Sequence, residues 1–298
     1  MAISRFPQVP AAMRVAAMLA AATAAIAASP LRAADSQPVA SAGAYSEPAY
    51  SELAYSDLVD LSGSAPLVLR AKVRKVAVLD AAHPSALPGR VRVYVEAQTE
   101  ALLAGRGAVG ETLRYLADVP ADARGKPVSF KKRSVLLFAR RVEARPDELQ
   151  LAAPDAQLLW DPALEGRVRG VLAELLAATA TPAVTRVREA LYVPGNLAGE
   201  GETQMSLATR RGSPLSLNVV HRPGAPPRWG LSLGEIVDEG AVPPLPGTLT
   251  WYRLACTLPP QLAPAANVSP TAADRALAEA DYRFVRAALG PCGRTRGL

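Results

Sequence analysis

The chain has 298 residues, half of them apolar, one fifth charged, with 21 Gly, 27 Pro and only two Cys. That composition excludes a disordered polymer, a collagen-like repeat and a disulfide-dense miniprotein, and it leaves room for two modest domains or one larger one. The net charge of +6 is mildly basic and does not by itself demand an anionic partner.

Arg5 and Arg14 precede an apolar Ala/Leu/Met run that continues to Ala28. A basic start, a short apolar core and small residues such as Ala25-Ile26-Ala27 form the pattern of a secretory signal peptide, expected over 1–33. Its core is shorter than the ~20 residues of a comfortable membrane span. With the leader removed after 33, 30 basic residues face 27 acidic ones, a net +3. The expected location is the periplasm or the medium.

Residues 34–54 are rich in Ala, Ser and Pro and carry a pentapeptide written three times, AYSEP, AYSEL and AYSDL. A five-residue period fits neither helix nor strand, and such a segment buries too little apolar surface to offset its ordering entropy. It reads as a flexible stalk. Only the third copy runs on into an amphipathic pattern, so a short helix is expected over 56–61 with Ser56 as its N-cap.

The next region, 55–150, reads as a β domain. Over 66–79, Leu67, Leu69, Ala71 and Val73 share one face, and the alternation slips at Arg74-Lys75, the mark of a bulge. A second strand is expected over 90–97, with Val91, Val93 and Val95 inward. Further strands are expected over 125–130, over 134–139 (apolar on both faces, hence central) and over 149–151. With DLVDLSGSAPLVLRAKV at one end and KKRSVLLFA at the other, this order of elements resembles an OB-fold, more loosely the netrin-like or metalloproteinase-inhibitor variety. The resemblance implies a five-stranded barrel. No inhibitory residue carries over, because netrin-like modules have cysteines in this region and this stretch has none. The whole chain is also similar to exported bacterial proteins, a likeness that implies no activity.

From 60 to 145 there are 16 basic and 8 acidic residues. Arg70, Lys72, Arg74, Arg92, Lys131, Lys132 and Arg133 make up a candidate basic surface. Tyr94 is the one aromatic well placed beside it, whereas a nucleic-acid groove interleaves aromatics through its cations. Specific nucleic-acid recognition is therefore not expected. An anionic polymer or another envelope protein is the expected class of partner.

Asp161-Pro162 opens a linking helix within 151–182, with Val168, Val171, Leu172, Leu175 and Leu176 as its apolar stripe. The remainder, 183–298, reads as an antiparallel meander with strands over 184–193, 202–209, 214–221, 228–237 and 248–258. A closing helix over 271–289 presents Leu277, Phe284, Val285, Ala288 and Leu289. Cys256 and Cys292 are the only cysteines, and export favours joining them. The fold class is mainly β with a few helices: an OB-like barrel, then a β-meander stapled to a C-terminal helix by a disulfide.

Chemistry is sparse. The two histidines, His83 and His221, read as solvated turn residues. The sequence has no G-x-S-x-G elbow, no H-E-x-x-H and no Cys/His cluster. The loop carrying Gly195, Gly199 and Gly201 has no phosphate-binding ending. Carboxylates in LAGEGETQ and LGEIVDEG remain, so Glu202, Glu235 and Asp238 form a candidate polar site suited to glycoside hydrolysis or a calcium ion. No cofactor is expected. The leading functional expectation is non-catalytic binding or envelope assembly, with a carboxylate-based hydrolase of extracellular polymer and a polyanion binder as alternatives.

Overall fold

A computed structural model describes residues 53–79, 84–85, 87–234 and 240–296. The leader, the first repeat and most of the second, His83, Glu235 and Asp238 lie outside the described residues. Among the described residues, no helix is long and apolar enough to cross a membrane.

The first half comprises α1 (Tyr55–Ser64), β1 (Leu67–Val78), β2 (Arg90–Ala104), β3 (Thr112–Pro120), β4 (Ser134–Val142), β5 (Arg145–Leu151), β6 (Gln157–Leu159) and α2 (Pro162–Leu176). The strands run in the order β1-β2-β3-β5-β4, and β4 returns to pair with β1 from Leu67↔Ala139 to Lys72↔Ser134. The result is a closed, mixed five-stranded barrel compatible with an OB-like fold. One edge of β4 is shared: residues 135–137 pair with β6 and residues 139–142 with β5. That position buries both faces, and Val135 through Ala139 have no exposed surface, as a central strand requires.

The inward faces follow from alternation. Leu69, Ala71 and Val73 on β1 meet Val93 and Val95 on β2, and the expected register shift falls between Val73 and Lys75. β3 is an addition to the expected set, although Leu113, Tyr115, Ala117 and Val119 alternate inward along it. Residues 125–130 form no strand. They hold only an isolated bridge between Ala121 and Pro127, after which Phe130 drops into the core. α1 also starts one residue earlier than expected, with Ala54 as its N-cap. Asp57, not Ser56, closes that end by accepting from the Ala54 N–H at 3.1 Å.

Asp161 caps α2 as expected, accepting from the Leu164 N–H at 2.8 Å. Leu164, Val168, Val171 and Leu172 bury, but Leu176 is 75% exposed, so the apolar stripe ends a turn earlier than the leucines suggest.

The second half is a four-stranded antiparallel sheet in the order β10-β9-β8-β7, with β7 Val184–Pro194, β8 Gly201–Thr209, β9 Leu215–His221 and β10 Arg228–Ser232. The expected fifth strand over 248–258 is instead a helix, α3 (Leu249–Ala255), whose Thr248 cap accepts from the Trp251 N–H. The β-prone Thr-Trp-Tyr run is overridden because Leu249, Tyr252 and Ala255 recur at near-helical spacing and all bury. α3 lies between the two cores: Leu249 and Tyr252 join the barrel's, Leu254 and Ala255 join the sheet's, and Trp251 touches both.

α4 (Ala272–Leu289) covers one face of the sheet. Its buried stripe is Ala278, Asp281, Tyr282, Val285 and Leu289, rotated from the expected one, which leaves Leu277 41% exposed. Gly290, at a positive φ of 73°, ends the helix. Cys292 then joins Cys256, at the C-cap of α3, with Cα atoms 4.8 Å apart. The disulfide thus ties helix α3, not a strand, to the chain leaving α4.

Beyond the disulfide, residues 292–296 run back to α1. The Ser56 hydroxyl donates to the Cys292 carbonyl at 2.9 Å. Asp57, 2% exposed, accepts from the Thr295 and Arg296 backbone N–H groups and from the Thr295 hydroxyl. Arg294 pairs with Asp60 at 2.6 Å, and Arg296 with Asp155. The third pentapeptide is therefore part of the fold because its serine and aspartate hold the C-terminal segment.

Candidate functional site

Of the acidic candidates Glu202, Glu235 and Asp238, only Glu202 belongs to the described residues. Glu202 lies on β8 between Val193 of β7 and Val220 of β9, while Glu235 and Asp238 are outside the described residues. The glycine loop before it is a hairpin connection closed by Glu200, whose carboxylate accepts from the Asn196 and Leu197 N–H groups at 3.0 and 3.2 Å. A side chain at Gly195 would collide with that glutamate, so this glycine serves the turn. Among the described residues, no cluster of His, Cys, Asp or Glu is suited to a metal ion.

The seven basic residues also part company. Arg70 is bound to Glu165 at 2.8 Å and Glu100 at 3.2 Å, and its guanidinium lies 4.9 Å from the centre of the Trp160 ring. Burial acts to raise the pKa of Glu165, but hydrogen bonds from Arg169 and Trp160 and the charges of Arg70 and Arg169 outweigh it and hold the carboxyl below its usual value. Arg92 forks onto Asp118, itself 2% exposed, at 2.7 and 3.1 Å. Arg74 is hydrogen-bonded to Gln98. Lys131, Lys132 and Arg133 occupy the exposed turn before β4, where Lys132 adopts a φ of 66° and donates its N–H to the Val73 carbonyl. Lys72, opposite Ser134 at the start of β4, is on the β1 neighbour of that turn. The strand cations Arg70 and Arg92 are thus neutralised, whereas Lys131, Lys132 and Arg133 share one exposed turn.

A groove of about 750 Å³ opens where β2 and β3 face β5. It exists because the parallel β3–β5 seam holds for only two pairs, Arg114↔Glu148 and Tyr115↔Leu149. Tyr94, Leu116, Val142 and Leu149 line it, and Leu116 is 48% exposed. The charges around it are paired: Arg92 with Asp118, Arg114 with Asp147 at 2.7 Å, and Arg145 with Glu148 at 2.8 Å. Tyr115 turns inward and donates to Gln157 at 2.6 Å; burial pushes its phenol well above the usual value. The groove therefore offers apolar surface and an aromatic ring, framed by neutralised ion pairs.

One polar cluster was not legible in the sequence. His221 Nε2 lies 2.8 and 3.0 Å from the two carboxylate oxygens of Asp281, and the Thr203 hydroxyl donates to the same carboxylate at 2.5 Å. Asp281 is 4% exposed and Thr203 fully buried. His221 is therefore not a solvated turn residue. It ends β9, where a buried carboxylate of α4 grips it, and the edge of its ring meets Tyr192 with centroids 6.3 Å apart. Burial, followed by the Asp281 charge, raises the Tyr192 phenol pKa. An oriented imidazole–carboxylate pair has the form of a general base, but among the described residues no serine or cysteine is hydrogen-bonded to the imidazole. Its visible effect is to fasten α4 across β8 and β9. No motif marks this pair, because the partners are 60 positions apart.

The chain matches no family model, and no curated protein is detectably similar to it.

Proposed function

We propose that this is an exported, non-catalytic binding protein of the cell envelope, and that the barrel groove beside Tyr94 takes an extended segment of another protein. The observation that carries the reading is the character of that groove. It presents Leu116, Val142, Leu149 and Tyr94 between ion pairs whose cations already have carboxylate partners. Such a lining favours a mixed polar and apolar chain over a polyanion, which attracts unpaired cations. Export is supported by the leader pattern over 1–33 and by the Cys256–Cys292 disulfide.

The test is selection of peptide ligands from a displayed random library on the purified, disulfide-bonded protein. Selected peptides are expected to bind with micromolar affinity and to lose about tenfold on Leu116→Glu or Tyr94→Ala. Failure to select any peptide above an unrelated control overturns the reading. Salt-sensitive retention on heparin, lost when Lys131, Lys132 and Arg133 are neutralised, would replace it with polyanion binding. Hydrolysis of wall polymer abolished by Glu202→Gln would replace it with an enzyme.

A further inference from the structure

A second groove, of about 820 Å³, lies where the ends of α1, β1, β2, β4 and α2 meet α3. It shares no lining residue with the Tyr94 groove. Its size is within the range of small-molecule sites, about 300–1,000 Å³. The floor is apolar: Leu67 and Leu172 are buried, and Leu176, one turn beyond Leu172, is 75% exposed. A leucine this open at the end of an otherwise buried stripe leaves apolar surface in water inside a concavity.

The rim has a different composition. Arg106, Arg140, Arg141 and Arg253 line the groove, and no acidic residue does. Elsewhere on the barrel, Arg70, Arg92, Arg114 and Arg145 each hold a carboxylate. Here Arg140 donates to the neutral Gln150 at 2.9 and 3.1 Å, and Arg141 to the Gly107 carbonyl at 3.0 Å, so neither charge is balanced by those partners. Among the described residues Arg106 has no ion pair or hydrogen bond. The Nε of Arg253 is buried and has no hydrogen-bond partner, and its guanidinium lies 5.6 Å from the Tyr252 ring centre. Burial, with Arg210 and Arg211 nearby, lowers the pKa of Arg253. A partly desolvated cation without a counter-charge is unfavourable until an anion completes it.

The geometry points to a binding site for an anionic amphiphile, with a carboxylate or phosphate head among the four arginines and an alkyl chain against Leu172, Leu175 and Leu176. Four cations without an acid select the head by charge and by the forked donors of guanidinium. The leucines select the chain. Neither feature alone would hold such a ligand, and their adjacency defines its class. The inference goes beyond the peptide-binding proposal and stands on different residues.

The experiment is displacement of a fluorescent dansyl-labelled fatty acid from the purified, disulfide-intact protein. Palmitate and hexadecyl phosphate are expected to displace the probe at micromolar concentration, and the stronger of the two identifies the head. Hexadecanol, acetate and inorganic phosphate are expected to compete at least about tenfold more weakly. Arg106→Glu and Leu176→Glu, both at exposed positions and therefore compatible with folding, are each expected to weaken binding about tenfold with an unchanged thermal midpoint. Leu176→Glu should leave peptide binding at the Tyr94 groove intact, which separates failure here from failure there. Equal competition by hexadecanol and palmitate, or unaltered binding in both variants, overturns the proposal.

Discussion

The carboxylate of Asp57, in the first turn of α1, accepts the backbone N–H of Thr295 at 3.0 Å, linking positions 238 apart in the chain. The same carboxylate takes the Thr295 hydroxyl, the Arg296 N–H and the Ala54 N–H. Asp57→Ala leaves those donors unpaired in a nearly water-free place, and destabilisation of about 1–3 kcal/mol is expected. Limited trypsin digestion followed by mass spectrometry checks it: cleavage after Arg294 should become fast in the variant and stay slow in the parent.

The disulfide encloses a long loop, its cysteines 36 positions apart in the chain. Replacing both cysteines by serine is expected to lower stability by roughly 3–4 kcal/mol, on the chain-entropy estimate. Urea unfolding monitored by tryptophan fluorescence reads this directly. A midpoint equal to that of the oxidised parent would mean that the helices hold without the link.

His221, Asp281 and Thr203 should behave as one unit. Asp281→Ala and His221→Ala are each expected to cost about 1–3 kcal/mol, and the double variant less than the sum, with a coupling of about 0.5–3 kcal/mol. Additive losses in thermal or urea denaturation would dissolve the proposed fastening of α4 to the sheet.

Acid should weaken the Arg70–Glu165–Arg169 cluster. The folded-state pKa of Glu165 is depressed, so the unfolded chain binds more protons around its ordinary carboxyl pKa and stability rises with pH there. Its contribution is complete above the unfolded value of about 4.3 and is lost as pH falls through the lower folded value. Glu165→Gln is expected to flatten the acid limb of the stability profile, measured by urea midpoints over about pH 5 to 3. An unchanged limb would contradict the assignment.

Burial, not residue type, should set the cost of truncating a leucine. Leu137→Ala in β4 removes a side chain with no exposed surface and is expected to cost about 2–5 kcal/mol. Leu176→Ala, at the open end of α2, should stay within about 0.5 kcal/mol. Thermal melts of the two variants make the comparison.

These elements also show how far the sequence carries. β1 and β4 were readable because one alternates and the other is apolar on both faces, which are the patterns of a one-sided and a two-sided strand. β3 carries an equally clear alternation in Leu113, Tyr115, Ala117 and Val119, although it is not among the expected strands. α3 has the sequence pattern of a strand, because Thr, Trp and Tyr favour strands and a seven-residue helix gives too little periodicity to outweigh them. The cysteine pair was readable from its uniqueness. Of the three acidic candidates, only Glu202 belongs to the described residues. The two grooves and the His221–Asp281 grip depend on residues far apart in sequence, and local patterns carry no information about such meetings.

The return of residues 292–296 to α1 has a consequence for biogenesis. Tyr55 to Ser64 emerge from the ribosome well before the donors that Asp57 and Asp60 receive from this segment, which lie 234 to 239 positions later in the chain. Helix α1 therefore completes its docking only after residues 292–296 have been synthesised. Nascent chains halted before Cys292 would present a barrel with α1 incompletely anchored.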